Sequence, residues 1–196
     1  MGSHYSTLPL GKDTTLHFES RADPAIGIDN EKTSACFHGT SLEEALDLLS
    51  DRGVRYAVLE GFKRWPFQKI VFGDLDGAHL FKNPDLHDVL ASLDRFDDWY
   101  TLAGLVKEVS DHPTPHTGVY TWTGYTAAYQ KAKNLCAELE HAYQTDPRIM
   151  GIRIRTQPWS PDDRYPIYVV LAMHPAYHGQ PLLSELIEQI TPCIAP

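Results

Sequence analysis

The spacing of apolar residues predicts a helix in the first third of the chain. Ser41 and Glu44 have the spacing of a capping box, in which each side chain accepts a hydrogen bond from the other residue's backbone N–H. The apolar residues that follow recur at three- and four-residue intervals: Leu42, Ala45, Leu46, Leu48 and Leu49. We therefore predict a helix from residue 42 that ends before Gly53, because glycine readily adopts the left-handed turn past a helix end.

The second half of the chain has the clearest strand patterns. Residues 118–123 are rich in β-branched and aromatic side chains and predict a strand that leads into a long helix, from about residue 125 to residue 143. Residues 149–156 alternate isoleucine with arginine, and residues 165–173 are almost all apolar. Each of these two segments predicts a further strand, with a turn-rich loop between them.

Shorter patterns complete the predicted organisation. Residues 16–18 and 35–38 each predict a short strand, residues 65–110 an irregular insertion, and residues 111–117 a loop that contains two prolines. The first 15 residues are interpreted as a tag remnant followed by an N-terminal arm. The order of strands and helices predicts one α+β domain over residues 16–196.

Composition and charge narrow the class of protein. The 196 residues are 42% hydrophobic and 22% charged, as in a globular chain, and the formal net charge is -9. This charge gives no general attraction to nucleic-acid phosphates or to anionic lipid. No apolar run approaches the roughly 18 residues of a membrane span. We expect a protein that is cytoplasmic, or secreted without a recognisable signal peptide, and that binds neither membranes nor bulk nucleic acid.

The three cysteines do not form a recognisable pattern. Cys36, Cys136 and Cys193 are odd in number and lack paired spacing. A disulfide framework and a zinc ribbon are therefore not expected, and we predict three reduced thiols. The ten histidines give no pair with metal-ligand spacing on a predicted helix, so no metal site is predicted.

The first candidate site follows the strand predicted at residues 35–38. His38 stands at the strand end and Gly39 follows it, just before the helix, where side chain and backbone are both available at the rim of a cleft. Glycine allows the polar edge of a ligand to approach the backbone. The alternative is a strand-end histidine that only makes structural hydrogen bonds.

The second candidate site is a pair of tyrosines. Tyr120 lies on the predicted strand and Tyr129 on the following helix, after the small residues Ala127 and Ala128. Two such rings can form the walls of a slot that holds a flat aromatic ligand by stacking. The alternative is that both rings pack in the core.

Taken in order, these motifs resemble the catalytic domain of ADP-ribosyltransferases of the diphtheria-toxin and poly(ADP-ribose) polymerase type. The matching segments lie within residues 35–175: His38-Gly39-Thr40, Gly118-Val119-Tyr120, Ala128-Tyr129 and the strand after Arg164. In that family the His-Gly-Thr strand grips the nicotinamide amide and a ribose hydroxyl, and the two tyrosines sandwich the nicotinamide. The resemblance implies a split, antiparallel-rich central sheet, NAD as the substrate and cofactor, and mono-ADP-ribosyl transfer to an unidentified protein target.

The same resemblance points to a catalytic acid. The family has a glutamate at the start of its last strand, where this chain has Arg164, and Asp163 is the predicted substitute because a carboxylate there stabilises developing positive charge. The triplet Glu138-Leu139-Glu140 is similar to the Glu-x-Glu of arginine-specific members, but it falls inside a predicted helix. We expect that triplet to be a solvated helix face.

Two other functions stay open. In the first, Arg164 replaces the catalytic glutamate, and the chain is an ADP-ribosyltransferase fold without activity that binds a protein or nucleotide. Alternatively, His38-Gly39-Thr40 and His112-Pro113-Thr114 are the two His-x-Thr motifs of a two-histidine phosphoesterase. The central proline weakens this last interpretation, because it removes a strand hydrogen bond.

Overall fold

The structure is a computed structural model that describes residues 12–28, 30–31, 33–59, 62, 65, 67–74, 78–110, 118–160 and 162–194. The chain divides into two compact units, Met1–Ala45 and Leu46–Pro196. Most of the predicted N-terminal arm and the loop 111–117, with His112 and Thr114 of the phosphoesterase motif, lie outside the described residues.

The first unit pairs one helix with a two-stranded sheet. Helix α1 spans Asp13–Glu19, and strands β1 (Ala25–Ile28) and β2 (Thr33–Cys36) are antiparallel. The prediction of a strand at residues 16–18 is wrong, because these residues lie inside α1. Three residues are too few to distinguish a period of 3.6 from a period of 2.

The capping box at the start of helix α2 (Leu42–Asp51) is confirmed. The Ser41 backbone N–H donates to Glu44 Oε2 over 2.8 Å, and the Glu44 N–H donates to Ser41 Oγ over 3.2 Å. The predicted end is confirmed as well, since Gly53 has a φ of 74° just past the last turn. These local interactions fix both ends of α2.

The second unit contains most of the regular structure. Its short elements are β3 (Ile70–Val71), which is parallel to β4 (Phe81–Lys82), and α3 (Leu86–Leu90). Its longer elements are α4 (Leu102–Ser110), β5 (Gly118–Thr126), α5 (Tyr129–Tyr143), β6 (Ile149–Thr156), β7 (Tyr165–Met173) and α6 (Leu182–Ile190). The strands predicted at 149–156 and 165–173 are confirmed, and the α+β class with them.

Three antiparallel strands in the order β5-β7-β6 form the centre of the second unit. The middle strand β7 is buried on both faces, which explains its nearly continuous apolar sequence. Ile167, Val169 and Leu171 pack on one face in a core with α5 and α6 residues. Val170 and Ala172 pack on the other face against Leu105 and Val109 of α4. The second unit therefore has helices on both sides of its sheet.

Helix α4 belongs to the segment predicted as an insertion. Leu105 and Val109 are only 1% and 2% exposed, so this part of residues 65–110 is integral to the core. None of the helices in the described ranges is long and apolar enough to cross a membrane.

Candidate functional site

A polar cleft of about 350 Å³ lies in the second unit. Its walls are one side of α5, the end of β6 and the segment of residues 94–100. The charged residues that line it are Asp94, Asp97, Asp98, Lys133, Glu140 and Arg155, and its other polar residues include Tyr100, Tyr129, His141 and Thr156. The lining contains four carboxylates and two cations, so its net charge is about -2 when His141 is neutral.

Glu140 anchors the inner wall of the cleft. Its side chain is buried, with the residue only 7% exposed, and Oε2 accepts a 2.7 Å hydrogen bond from the backbone N–H of Ile154. The same oxygen accepts from the Arg155 guanidinium. The Glu140 carboxylate thus satisfies a backbone N–H on β6, which is an edge strand of the sheet.

The expectation of a solvated helix face at Glu138-Leu139-Glu140 is therefore wrong for Glu140. Glu138 is exposed, whereas Leu139 and Glu140 are buried. Glu140 lies four and eight residues after the buried Cys136 and Ala132, which places all three on the inward stripe of α5. This periodicity is the sequence signal that identifies Glu140 as buried.

Gln157 holds Tyr100 at the opposite wall. The Gln157 side chain is buried and bridges the backbone of Tyr100: its Oε1 accepts from the Tyr100 N–H over 2.9 Å, and its Nε2 donates to the Tyr100 carbonyl over 2.7 Å. The Tyr100 hydroxyl donates to Asp98 Oδ2 over 2.7 Å. The Arg155 guanidinium carbon lies 5.7 Å from the Tyr100 ring centroid, so it links Tyr100 with Glu140.

These surroundings keep the cleft tyrosines neutral. Burial raises the pKa of Tyr100, and the hydrogen bond to Asp98 raises that pKa further. Burial also raises the pKa of Tyr129, against the opposing effect of Lys133. Both phenols therefore remain protonated hydrogen-bond donors at pH values where an exposed tyrosine ionises.

We expect the raised pKa of Tyr100 to make stability sensitive to alkaline pH. Below pH about 10 both states keep the phenol proton, but above it the unfolded chain releases the proton while the folded chain retains it. Stability is therefore lost as pH rises. The loss in the free energy of unfolding between pH 9 and 11, measured by urea titration, should be smaller in Tyr100→Phe than in the wild type. Tyr125→Phe, at an exposed tyrosine, should follow the wild type; equal slopes for all three proteins contradict the prediction.

Tyr165 contacts both Tyr129 and Asp163, two of the predicted site residues. The ring centroids of Tyr129 and Tyr165 are 5.3 Å apart, and the Tyr165 hydroxyl donates to Asp163 Oδ1 over 3.3 Å. Burial raises the pKa of Tyr165, as does the hydrogen bond to Asp163. The Thr126 hydroxyl, which accepts from the Ala128 N–H over 3.0 Å, marks the turn that places Tyr129 as the first residue of α5.

Tyr120 lies at the other end of the sheet. It pairs with Leu171, whereas Tyr165 pairs with Thr126, six residues further along β5. At about 3.3 Å per residue, six residues span about 20 Å. The Tyr120 ring lies 6.5 Å from His178, whose Nε2 accepts from the Gly118 N–H. The predicted slot between Tyr120 and Tyr129 is therefore not formed, because β5 continues to Thr126 and the helix predicted from residue 125 begins at Tyr129.

Arg164 directly precedes β7 and contacts a different tyrosine. Tyr165, the first residue of β7, shares the α5 side of the sheet with Ile167. The Arg164 guanidinium carbon lies 4.9 Å from the ring centroid of Tyr125, an exposed residue. Arg164 is thus held on a ring other than those of the Tyr129–Tyr165 pair.

His38, Gly39 and Thr40 belong to the first unit, and all three are exposed. His38 Nε2 lies 2.9 Å from the Phe18 carbonyl, and the two rings stack with centroids 3.9 Å apart. Since a carbonyl only accepts, Nε2 carries the proton in this contact. Gly39 has a φ of 66°, and no heavy atom lies within 4 Å of the position that a Cβ would take, so its backbone is open to approach.

Among the described residues, no group of three or more histidine, cysteine or carboxylate side chains is arranged to hold a metal ion. Cys36 is half-buried and Cys136 is buried, and neither forms a disulfide within the described residues. Comparison with known proteins found no matching family, no similar curated protein and no similar solved structure.

Proposed function

We propose that the chain is an NAD-dependent mono-ADP-ribosyltransferase that modifies a protein target, with the nicotinamide half of NAD bound beside Tyr129. The single observation that carries the proposal is the cluster of Tyr129, Tyr165 and Asp163 at one end of the sheet. The cluster combines aromatic faces with a carboxylate. Tyr165 packs against Tyr129 with ring centroids 5.3 Å apart, which leaves no room for a third ring between them. The nicotinamide therefore stacks on the Tyr129 face that borders the cleft, and no second ring replaces Tyr120.

The charge of the adjacent cleft suits the nicotinamide end of NAD, whereas the pyrophosphate, which carries two negative charges, is placed outside the cleft in this proposal. The nicotinamide ring of NAD is a cation, and the ribose becomes more cationic as the ring departs. A lining with a net charge of about -2 favours both species over a neutral ligand. Tyr129 lines this cleft and presents a ring on which a flat heterocycle can stack.

The proposed reaction breaks the bond between the nicotinamide nitrogen and C1′ of the ribose. The bonding electron pair stays on nitrogen, so nicotinamide leaves as a neutral molecule. A nucleophilic atom of the target protein then bonds to C1′ and loses its proton to solvent. The Asp163 carboxylate stabilises the positive charge on the ribose, and the protein otherwise positions the two reactants.

Isothermal titration calorimetry with NAD tests the binding step. Tyr129→Ala should weaken NAD binding by about fivefold, because stacking on one ring contributes about 1 kcal/mol. Tyr125→Ala removes a ring on the opposite face of the same sheet end and should leave the affinity unchanged. His38→Ala, measured in the same way, tests whether the first unit contributes to NAD binding. The proposal fails if the wild type does not bind NAD, or if Tyr129→Ala binds it as the wild type does.

A further inference from the structure

Four aromatic side chains form a cluster on the surface of the second unit: Trp65, Phe67, Trp99 and Trp159. The ring centroids of Trp65 and Trp159 are 4.4 Å apart, those of Trp65 and Phe67 5.5 Å, and those of Phe67 and Trp99 6.0 Å. All four side chains are half-buried, so each ring is partly exposed to solvent. We call these residues the tryptophan cluster. A contiguous aromatic surface of this kind is typical of an interaction site.

Carboxylates border the tryptophan cluster. Asp47 Oδ1 accepts from the Trp99 indole N–H over 2.7 Å, and Asp97 Oδ2 accepts from the Gln68 N–H over 3.0 Å. Asp98 follows directly and is exposed. In the part of the chain that the structure describes, none of these three aspartates lies within 4.0 Å of a lysine, arginine or histidine nitrogen. Among the described residues, these three charges are therefore not neutralised by a cation.

The side chain of Lys69, in the segment that carries Trp65 and Phe67, is already engaged. The Lys69 ammonium donates to the backbone carbonyls of Trp65 and Phe67. It holds the residue 65–69 segment together and does not neutralise Asp47, Asp97 or Asp98. The tryptophan cluster thus combines exposed aromatic faces with carboxylates that lack a counter-ion among the described residues.

We propose that the tryptophan cluster is a docking surface for an arginine-rich segment of a partner protein. A guanidinium stacks on an aromatic face and also forms paired hydrogen bonds with a carboxylate, so one side chain uses both features of the surface. The second unit makes such arginine–ring contacts internally, Arg155 over Tyr100 and Arg164 over Tyr125. The chain's net charge of -9 also attracts a basic partner.

This docking surface goes beyond the proposed function. No ring of the tryptophan cluster is among the residues described as lining the cleft, whereas Asp97 and Asp98 border both the cluster and the cleft. Trp65, Trp159 and Asp47, the positions used in the test, are not among the cleft-lining residues, so the two proposals can fail separately.

Calorimetry with acetylated hexaarginine amide, in the absence of NAD, tests the docking surface. Trp65→Leu and Trp159→Leu should each weaken binding by about fivefold, whereas Trp159→Phe, which keeps a ring, should retain most of the affinity. Asp47→Asn should weaken binding by about threefold, and Glu138→Gln, the same charge change on an exposed part of α5, should have no effect. A hexacitrulline peptide, which lacks the charges, should not bind.

Circular dichroism and thermal melting establish that each variant is folded before its affinity is compared. The proposal is overturned if the folded leucine variants bind hexaarginine as the wild type does. It is also overturned if Glu138→Gln weakens binding as much as Asp47→Asn, because the attraction is then diffuse. Equal binding of hexacitrulline identifies an apolar partner instead and likewise excludes an arginine-specific surface.

Discussion

Glu140→Ala is expected to lower the free energy of unfolding by about 3 kcal/mol, measured by urea titration at pH 7. The substitution removes the carboxylate from a buried ion pair with Arg155 and leaves the Ile154 N–H without its acceptor. Removing one partner of a buried pair typically costs about 3–5 kcal/mol. We expect the lower end of this range, because the Arg155 side chain is 29% exposed and regains some hydration.

Two matched variants make this test specific to burial. Glu138→Ala is the same substitution on the same helix at an exposed position, and it should change stability by less than about 0.5 kcal/mol. Glu140→Gln keeps an oxygen for the Ile154 N–H but loses the charge, so its stability should fall between those of the wild type and Glu140→Ala. Equal costs for Glu138→Ala and Glu140→Ala would show that Glu140 does not anchor the cleft.

The strands and helices that could be predicted are those with a local signal. The isoleucine–arginine alternation of β6, the apolar run of β7 and the capping box of α2 each depend on residues close in sequence. The end of β5 could not be placed, because Thr126 pairs with Tyr165, 39 residues later in the sequence. That pairing keeps residues 124–126 in the strand.

The candidate site was harder to predict for the same reason. Gln157 joins a loop to Tyr100, 57 residues earlier in the sequence, and no local pattern marks either residue. The tryptophan cluster likewise brings together Trp65, Trp99 and Trp159 from three separate segments. Glu140 did have a signal, its place on the inward stripe of α5, but its charge favoured a solvent-exposed interpretation.

Asp163→Asn is expected to reduce nicotinamide release from NAD by about 100-fold with little change in NAD affinity. A carboxylate that stabilises the cationic ribose acts mainly in the transition state, and loss of one such electrostatic group typically costs 10²–10³ in rate. Asparagine keeps an oxygen that accepts from the Tyr165 hydroxyl, so the local contact between loop and ring is retained. The measurement is nicotinamide release by chromatography, with calorimetry for NAD on the same samples.

Asp162→Asn is the matched control for this prediction. Asp162 Oδ1 accepts from the Ser160 hydroxyl over 2.6 Å and from the Arg164 N–H over 3.3 Å, so its role is to shape the turn. The amide oxygen of asparagine can accept both hydrogen bonds, so the rate should change by less than about twofold. Equal losses in the two variants would assign the effect to the turn rather than to Asp163. If the wild type binds NAD yet releases no nicotinamide with any protein acceptor, the chain is a binding module, and Asp163, which lies in the loop before β7, has no catalytic role.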